Sequence, residues 1–420
     1  MSSKLPPPVL IEDQEAFESL LEVLAGESEI AVDTEADSFF SYREKVCLIQ
    51  ITAAGTDYLV DPLADLDLAG LGAILADPGK IKIFHDGEYD VLILGREYGF
   101  HFAGLFDTRL AASALGAEAP GLASVLEEHF GITLDKSMQR SNWGARPLSE
   151  RQIDYARLDT HYLHELMHRQ AKALEAAGRT MILEGECRRL EQLEPSPLEF
   201  VPDEWVRLKG ARALPPLSRQ ACRELFILRN RLASEADEPP FRVLNNQVLV
   251  AVAAVLPTSA SALSEVHGLS WRQVRRFGDR IMEALASARE QGPLEELPRL
   301  PPKDGTGGLD PFQVELHDRL KAWRRKQAER EGYDASLVLN RHTLVRLARE
   351  EPQDLAGLQA TEGLLDWQVE RFGEGLLACL ETFRSDRDAG RIETGPRRSG
   401  QRRRGGRRGS GSGAARRRRR

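Results

Sequence analysis

Cysteine is scarce in this chain. Four residues, Cys47, Cys187, Cys222 and Cys379, are scattered over 420 positions with no Cys-x-x-Cys pair. That spacing supports neither a structural zinc site nor a disulfide framework. So few scattered thiols suit a reducing compartment, and the cytoplasm is expected. Long apolar runs are missing too. Nothing approaches the ~20 residues needed to span a bilayer, and the opening MSSKLPPPVLIED has no apolar signal core. His161, His164 and His168 recur at helical spacing without a His-Glu-x-x-His pattern. They are expected to decorate the exposed part of one helix rather than to bind a metal. With no heptad pattern and no long apolar stripe left unused, a monomer is expected.

What the chain does have is carboxylates in suggestive places. EIAVDTEADSFF reads as a buried strand, Ile30 to Val32, running into acidic residues. Strand side chains alternate, so Asp33 and Glu35 project to one side. Two carboxylates on one face repel unless a cation sits between them, which points to a metal, although a solvated strand end has the same pattern. KIKIFH (Lys80 to His85) is a second strand, followed by a helix through EYDVLILGREYG that ends at Gly99. Asp90 falls in its first turn, where it could face the first pair or merely complement the helix dipole. Asp86 and Glu88 compete with it for the role. In LSERQIDYARLDTHYL, Ser149 with Gln152 forms a capping-box start. Tyr155 and Asp159, four apart, then share a helix face. An amphipathic helix with a half-buried tyrosine and a solvated aspartate is the plainer reading of that motif alone.

The order of these motifs resembles the DEDD exonucleases, in their tyrosine-bearing branch, and within it the ribonuclease D family. CLIQITAAGTDYLVDPL, FDTRLAASAL and the segment from Leu134 to Asp159 are similar to the same family, and the resemblance runs from about residue 8 to 180. The histidine-bearing branch would place His five residues before the last aspartate. Asp154 stands there, with Tyr155 beside it. The resemblance implies an α/β RNase H-like exonuclease core, a mixed central sheet flanked by helices. It implies that Asp33, Glu35, Asp90 and Asp159 bind two divalent ions, Mg²⁺ or Mn²⁺, and that Tyr155 orients the attacking water. In such a centre two cations clamp the scissile phosphate and stabilise the attacking and leaving oxygens. A phenol has a reference pKa of about 10, so Tyr155 is expected to hold the water by a hydrogen bond rather than deprotonate it. The implied reaction is hydrolysis from RNA 3′ ends with release of nucleoside 5′-monophosphates, on tRNA precursors and other small structured RNAs. Rival readings are a DNA-directed 3′–5′ exonuclease and a catalytically silent RNA-binding scaffold.

The second half carries an internal repeat. At an offset of 95, Leu244-Asn245 falls on Leu339-Asn340, Gly268-Leu269 on Gly363-Leu364, and Arg276-Phe277-Gly278 on Arg371-Phe372-Gly373. Each copy reads as a small all-α bundle similar to the HRDC domain, which implies an auxiliary nucleic-acid-binding role. The second copy departs at its start, and Asp366 stands where the first has Trp271. In the first copy Arg272, Arg275, Arg276 and Arg280 form a helical stripe that could track phosphates or be an ordinary solvated face. The expected organisation is an exonuclease domain over 1–195, a first HRDC domain over 205–295, a linker over 296–307, a second HRDC-like domain over 308–388 and an Arg/Gly-rich tail over 389–420. The last stretch, from Arg397, holds 12 Arg and no acid, so the remaining body, with 45 basic and 65 acidic residues, carries −20 beside a tail of +12. Such a tail suits salt-sensitive attraction to RNA, although pairing with the acidic body or a merely solubilising end fits the same composition.

Overall fold

The structure, a computed structural model, describes residues 5–300 and 308–392. The tail from residue 393 and most of the expected linker lie outside the described residues.

An α/β core comes first. Its six strands are β1 (Val9–Ile11), β2 (Glu29–Ala36), β3 (Val46–Ala53), β4 (Thr56–Val60), β5 (Ile81–Phe84) and β6 (Leu105–Asp107), in the spatial order β1-β4-β3-β2-β5-β6. Only β3 runs against the others: it pairs antiparallel with β2 and β4, whereas β1/β4, β2/β5 and β5/β6 are parallel. Every residue of β3 is buried, as its near-continuous apolar run VCLIQITA requires of a strand covered on both faces. Around the sheet lie α1 (Gln14–Gly26), α2 (Ala69–Leu75), α3 (Glu88–Tyr98), α4 (Thr108–Leu115), α5 (Leu122–Phe130), α6 (Glu150–His161), α7 (Leu163–Ala177) and α8 (Thr180–Glu191). Helix α3 ends where expected, because Gly99 adopts a left-handed φ of 68° that returns its N–H to Gly95. The helical stretch from Arg151 to about Leu193 is not one helix. It is three, α6 to α8: the chain turns at Tyr162, whose ring packs on Phe130 at 5.3 Å, and Gly178 closes α7 in the left-handed region.

The two bundles follow. The first comprises α9 (Pro216–Ala236), α10 (Pro240–Val243), α11 (Asn246–Val255), α12 (Ala260–Ser264) and α13 (Trp271–Gln291). The second comprises α14 (Pro311–Glu331), α15 (Ala335–Val338), α16 (Arg341–Glu350), α17 (Leu355–Ala360) and α18 (Asp366–Asp388). Each helix of the second starts 95 residues after its counterpart, so the divergent start of the second copy changes side chains and not architecture. Even side-chain bonds repeat: Arg289 donates to the carbonyls of Leu256 and Pro257, and Arg384 to those of Glu351 and Pro352.

The copies meet the α/β core differently. The second shares one apolar core with it, in which Ala111, Leu174, Ile182, Leu183 and Cys187 pack with Leu316, Trp367, Phe372 and Leu376. Gly185 makes this possible, since a Cβ there would lie 2.5 Å from Trp367 Cδ1. The first bundle keeps its own core, joined at its edge by Tyr42. Its contacts include the Tyr42 hydroxyl donating to Asn230 Oδ1 at 2.8 Å, the Tyr42 N–H donating to Asp237 Oδ1, and Arg242 over the Phe40 ring. Among the described residues no helix is long and apolar enough to cross a membrane.

Candidate active site

Asp33 and Glu35 lie on β2, an interior strand, in register with Gln50 and Leu48 of β3. The two-residue spacing sends both into one cleft of about 400 Å³, which Tyr155 and Asp159 of α6 also line. Asp90 sits behind it in the first turn of α3, 5 % exposed, where the Thr34 hydroxyl donates to its Oδ1 at 2.5 Å. The structure thus brings together Asp33, Glu35, Asp90, Tyr155 and Asp159 from three separate elements. It also separates Asp90 from its competitors. Asp86 lines the cleft but is ion-paired with Arg109 at 2.7 Å, and Glu88 turns away to Arg189 at 3.2 Å.

Helix α6 is fixed at several points. The Ser149/Gln152 capping box starts it. Trp143, 1 % exposed, packs against the Tyr155 ring with centroids 6.0 Å apart. Arg146 anchors the preceding segment by donating to the Cys47 carbonyl at 2.6 Å and to the Asp61 carboxylate. On the following turn the buried Arg157 donates twice to Asp57 Oδ2, from Nη2 at 2.6 Å and Nε at 3.1 Å. His161 Nδ1 lies 2.9 Å from both oxygens of the same carboxylate, and the Thr52 hydroxyl donates to Oδ1 at 2.9 Å. Burial alone would raise the Asp57 pKa, but hydrogen bonds from His161 and Arg157 outweigh it and hold the carboxyl below its ordinary range.

The histidines expected to decorate an exposed face are therefore not idle. His161 bonds Asp57, His164 Nε2 lies 3.1 Å from the Glu29 carbonyl, and His168 pairs with the Glu29 carboxylate at 2.9 Å. His168 is exposed as expected, whereas His161 and His164 are half-buried, and all three have partners more than 100 positions away that helical spacing does not show. Of the four arginines in the first bundle's stripe, Arg276 is paired with Glu238 and Arg280 with Glu235.

The cleft's electrostatics follow from four carboxylates sharing little solvent. Burial, then repulsion from Asp90, Asp159 and Glu35, pushes Asp33 well above the usual carboxylate range. Burial, then repulsion from Asp159 and Asp90, pushes Glu35 up to about 9. Burial and Asp90 push Asp159 up to about 8. Asp90 rises to about 6 through burial, moderated by its bond from Thr34. Tyr155 is raised above the phenol range by burial and by Asp159, Glu35 and Asp33, so it keeps its proton. An all-carboxylate set held against its own repulsion suits a hard divalent cation. The carboxylates line a cleft and do not close a cage: among the described residues no three His, Cys, Asp or Glu side chains are set to enclose an ion. Mg²⁺ accepts such openness, because it usually keeps several waters and takes one or two carboxylates together with substrate phosphates.

Arg109 and His85 are among the cleft residues that sequence reasoning missed. Arg109 follows the α4 cap Asp107 and bears on the cleft through Asp86. His85 lies in the cleft wall with Nδ1 2.8 Å from the Thr108 hydroxyl, and burial, then Arg109, lowers its pKa to about 3. Neither sits at a telling spacing from the acidic motifs.

A family model described as a 3′–5′ exonuclease matches residues 8–175, and the HRDC domain model matches 218–285 and 313–380. The molecule is thus a 3′–5′ exonuclease carrying two HRDC domains. Ribonuclease D of Gluconacetobacter diazotrophicus is 32 % identical over 90 % of this chain and 93 % of its own, and ribonuclease D of Cronobacter turicensis is 30 % identical over 89 % and 100 %. The crystal structure of Escherichia coli RNase D is similar with a TM-score of 0.65 and 27 % identity, covering 90 % of this chain and 99 % of that one. The chain belongs to the ribonuclease D family of 3′–5′ exoribonucleases. These likenesses favour ribonuclease over the DNA-directed and silent-scaffold readings.

Proposed function

We propose that the chain hydrolyses RNA one nucleotide at a time from the 3′ end, releasing nucleoside 5′-monophosphates, with Asp33, Glu35, Asp90 and Asp159 holding two divalent ions, Mg²⁺ or Mn²⁺. When bound, such ions stabilise the charge that develops on the attacking and leaving oxygens of a phosphodiester. The rest falls to the chain itself. Asp33 and Glu35 project from a rigid interior strand, so their separation does not drift. Thr34 fixes the Asp90 carboxylate from behind, and Asp159 closes the far side from α6. Tyr155, kept protonated, positions the water by donating or accepting a hydrogen bond. The observation that carries the reading is that Asp33, Glu35, Tyr155 and Asp159 from β2 and α6 line one cleft with Asp90 of α3 behind it, the carboxylates raised by burial and by one another.

The substrate class is structured small RNA, tRNA precursors included. The similar E. coli protein is described as an exoribonuclease involved in structured RNA processing, which supports this extension. The test uses an RNA with an unpaired 3′ end, labelled at its 5′ end, and its DNA equivalent, with Mg²⁺, with EDTA and with Asp33→Ala. A metal-dependent ladder, faster on RNA and absent in the variant, is expected. A ladder that persists in Asp33→Ala sinks the site assignment, and equal rates on DNA sink the substrate.

A further inference from the structure

The two bundles differ at one pair of positions that the repeat makes comparable. In the first, Arg229 is 7 % exposed and satisfied: its Nη1 donates to the Leu244 carbonyl at 3.2 Å and to the Asn246 side-chain oxygen at 2.7 Å. At the 95-residue offset Arg229 falls on Arg324 and Asn246 on Arg341. Arg324 keeps the carbonyl bond, donating to Leu339 at 2.9 Å, but its amide acceptor has been replaced by a second cation. Its Nε is buried without an acceptor. Arg341 is exposed, and its Nε donates to His342 Nε2 at 3.0 Å, a partner that brings no negative charge. A position that supplies a buried arginine with an acceptor in one copy adds a second positive charge in the other.

This pair faces a cavity of about 510 Å³ between the second bundle and the exonuclease core. The cavity also holds acids, and each already has partners in or beside its wall. Asp86 pairs with Arg109, Glu88 and Glu186 with Arg189, and Glu362 with Arg346. Asp107 accepts the backbone N–H groups of Asp86, Gly87, Arg109 and Leu110. Asp334, whose charge acts on Arg324, accepts the Ser336 N–H and hydroxyl at 2.7 and 2.6 Å. Of the five arginines that line the cavity, Arg324 and Arg341 are therefore the two with no ion-paired carboxylate among the described residues, and they lie beside the first turn of α16, whose N–H groups add partial positive charge. Asp86 and Arg109 line both this cavity and the catalytic cleft, so the two are continuous along the surface.

We propose that Arg324 and Arg341 bind a backbone phosphate of the RNA strand upstream of the scissile bond, so that the second bundle holds the substrate while its 3′ end lies in the cleft. The proposal rests on that cleft being the catalytic site. Guanidinium donors suit phosphate oxygens, and a phosphate at this point supplies the acceptor that Asn246 supplies in the first copy.

The test is Arg341→Asn, which installs the first copy's own residue at an exposed position. For a single-stranded RNA of roughly 16 nucleotides, long enough to span such a groove, KM should rise roughly tenfold with kcat unchanged. For a three-nucleotide RNA both constants should stay within twofold. The slope of log KM against log salt on the long RNA should fall by about 0.7, one phosphate contact on a single strand. Arg341→Glu should raise KM further, and Arg341→Lys should restore most of the loss. An unchanged KM and salt slope for Arg341→Asn on long RNA overturns the proposal, as does an equal loss on the trinucleotide. If Arg341→Asn alters inhibition by a free nucleoside 5′-monophosphate but not KM on long RNA, the pair serves released product and the proposal fails. Absence of wild-type cleavage on either RNA would instead count against the catalytic reading.

Discussion

Asp57→Ala separates the job of holding α6 from the job of catalysis. Asp57 is 4 % exposed and Arg157 5 %, and the aspartate accepts bonds from Arg157, His161 and Thr52 at once. Removing the carboxylate leaves a guanidinium buried with no counter-charge, which in comparable pairs costs about 3–5 kcal/mol. A unit of 150–250 residues loses about 2–4 °C of Tm per kcal/mol, so the melting point should fall by about 6–20 °C. Because Arg157 lies between Tyr155 and Asp159 on α6, the rate at 25 °C should fall as well. Asp57→Leu with Arg157→Met, which removes both charges and keeps apolar volume, should recover most of the Tm. The sign with pH follows from the depressed Asp57 pKa. Such a group stabilises the fold above the ordinary carboxylate pKa, and that contribution is lost as pH falls through the folded value. The Tm gap between wild type and Asp57→Ala should therefore narrow on acidification. Thermal unfolding followed by circular dichroism from pH 3 to 8 is the assay. A Tm drop below about 2 °C at neutral pH, or a double variant no better than the single one, refutes the reasoning.

Glu35 and Asp159, raised to about 9 and about 8, make the metal-free fold bind more protons than the unfolded chain above the ordinary carboxylate range. Its stability should fall as pH rises from 5 to 9, and Mg²⁺ should raise Tm more at pH 8 than at pH 6; scanning calorimetry that finds the larger gain at pH 6 contradicts this. Tyr155→Phe should lower kcat roughly 100-fold with little change in KM, since only the water-positioning hydroxyl is lost, and steady-state kinetics on a short RNA checks it. Asp33→Ala, inactive as proposed, should melt no lower than wild type in EDTA at pH 8, because it removes a buried charge that its neighbours repel; a Tm loss of several degrees would mean the carboxylate is structural.

Strand and helix periods carried much of the site in the sequence. Asp33 and Glu35 share a face because they are two apart on a strand, and Tyr155 and Asp159 because they are four apart on a helix. Asp90 was harder: Asp86, Glu88 and Asp90 occupy one turn region, and only tertiary partners, Arg109, Arg189 and Thr34, decide which carboxylate reaches the others. The repeat was legible down to the offset. Its consequence at Arg341 was not, because Asn246 discloses its role only through a bond to a buried arginine 17 residues earlier. The histidines of α6 and α7 escaped for the same reason, their partners lying on distant strands.

Trp367 packed onto Gly185 has a bearing on how the molecule comes apart. A module with a core of its own can be clipped away and leave its neighbour folded. The second bundle has no such independence, since its apolar residues are also those of the nuclease, and the two should open in a single cooperative step. The first bundle, tethered through Tyr42 and a few polar contacts, can open alone. Of two copies of one fold, the one nearer in sequence is the detachable accessory, and shortening the chain from its far end would unmake the enzyme before it removed an appendage.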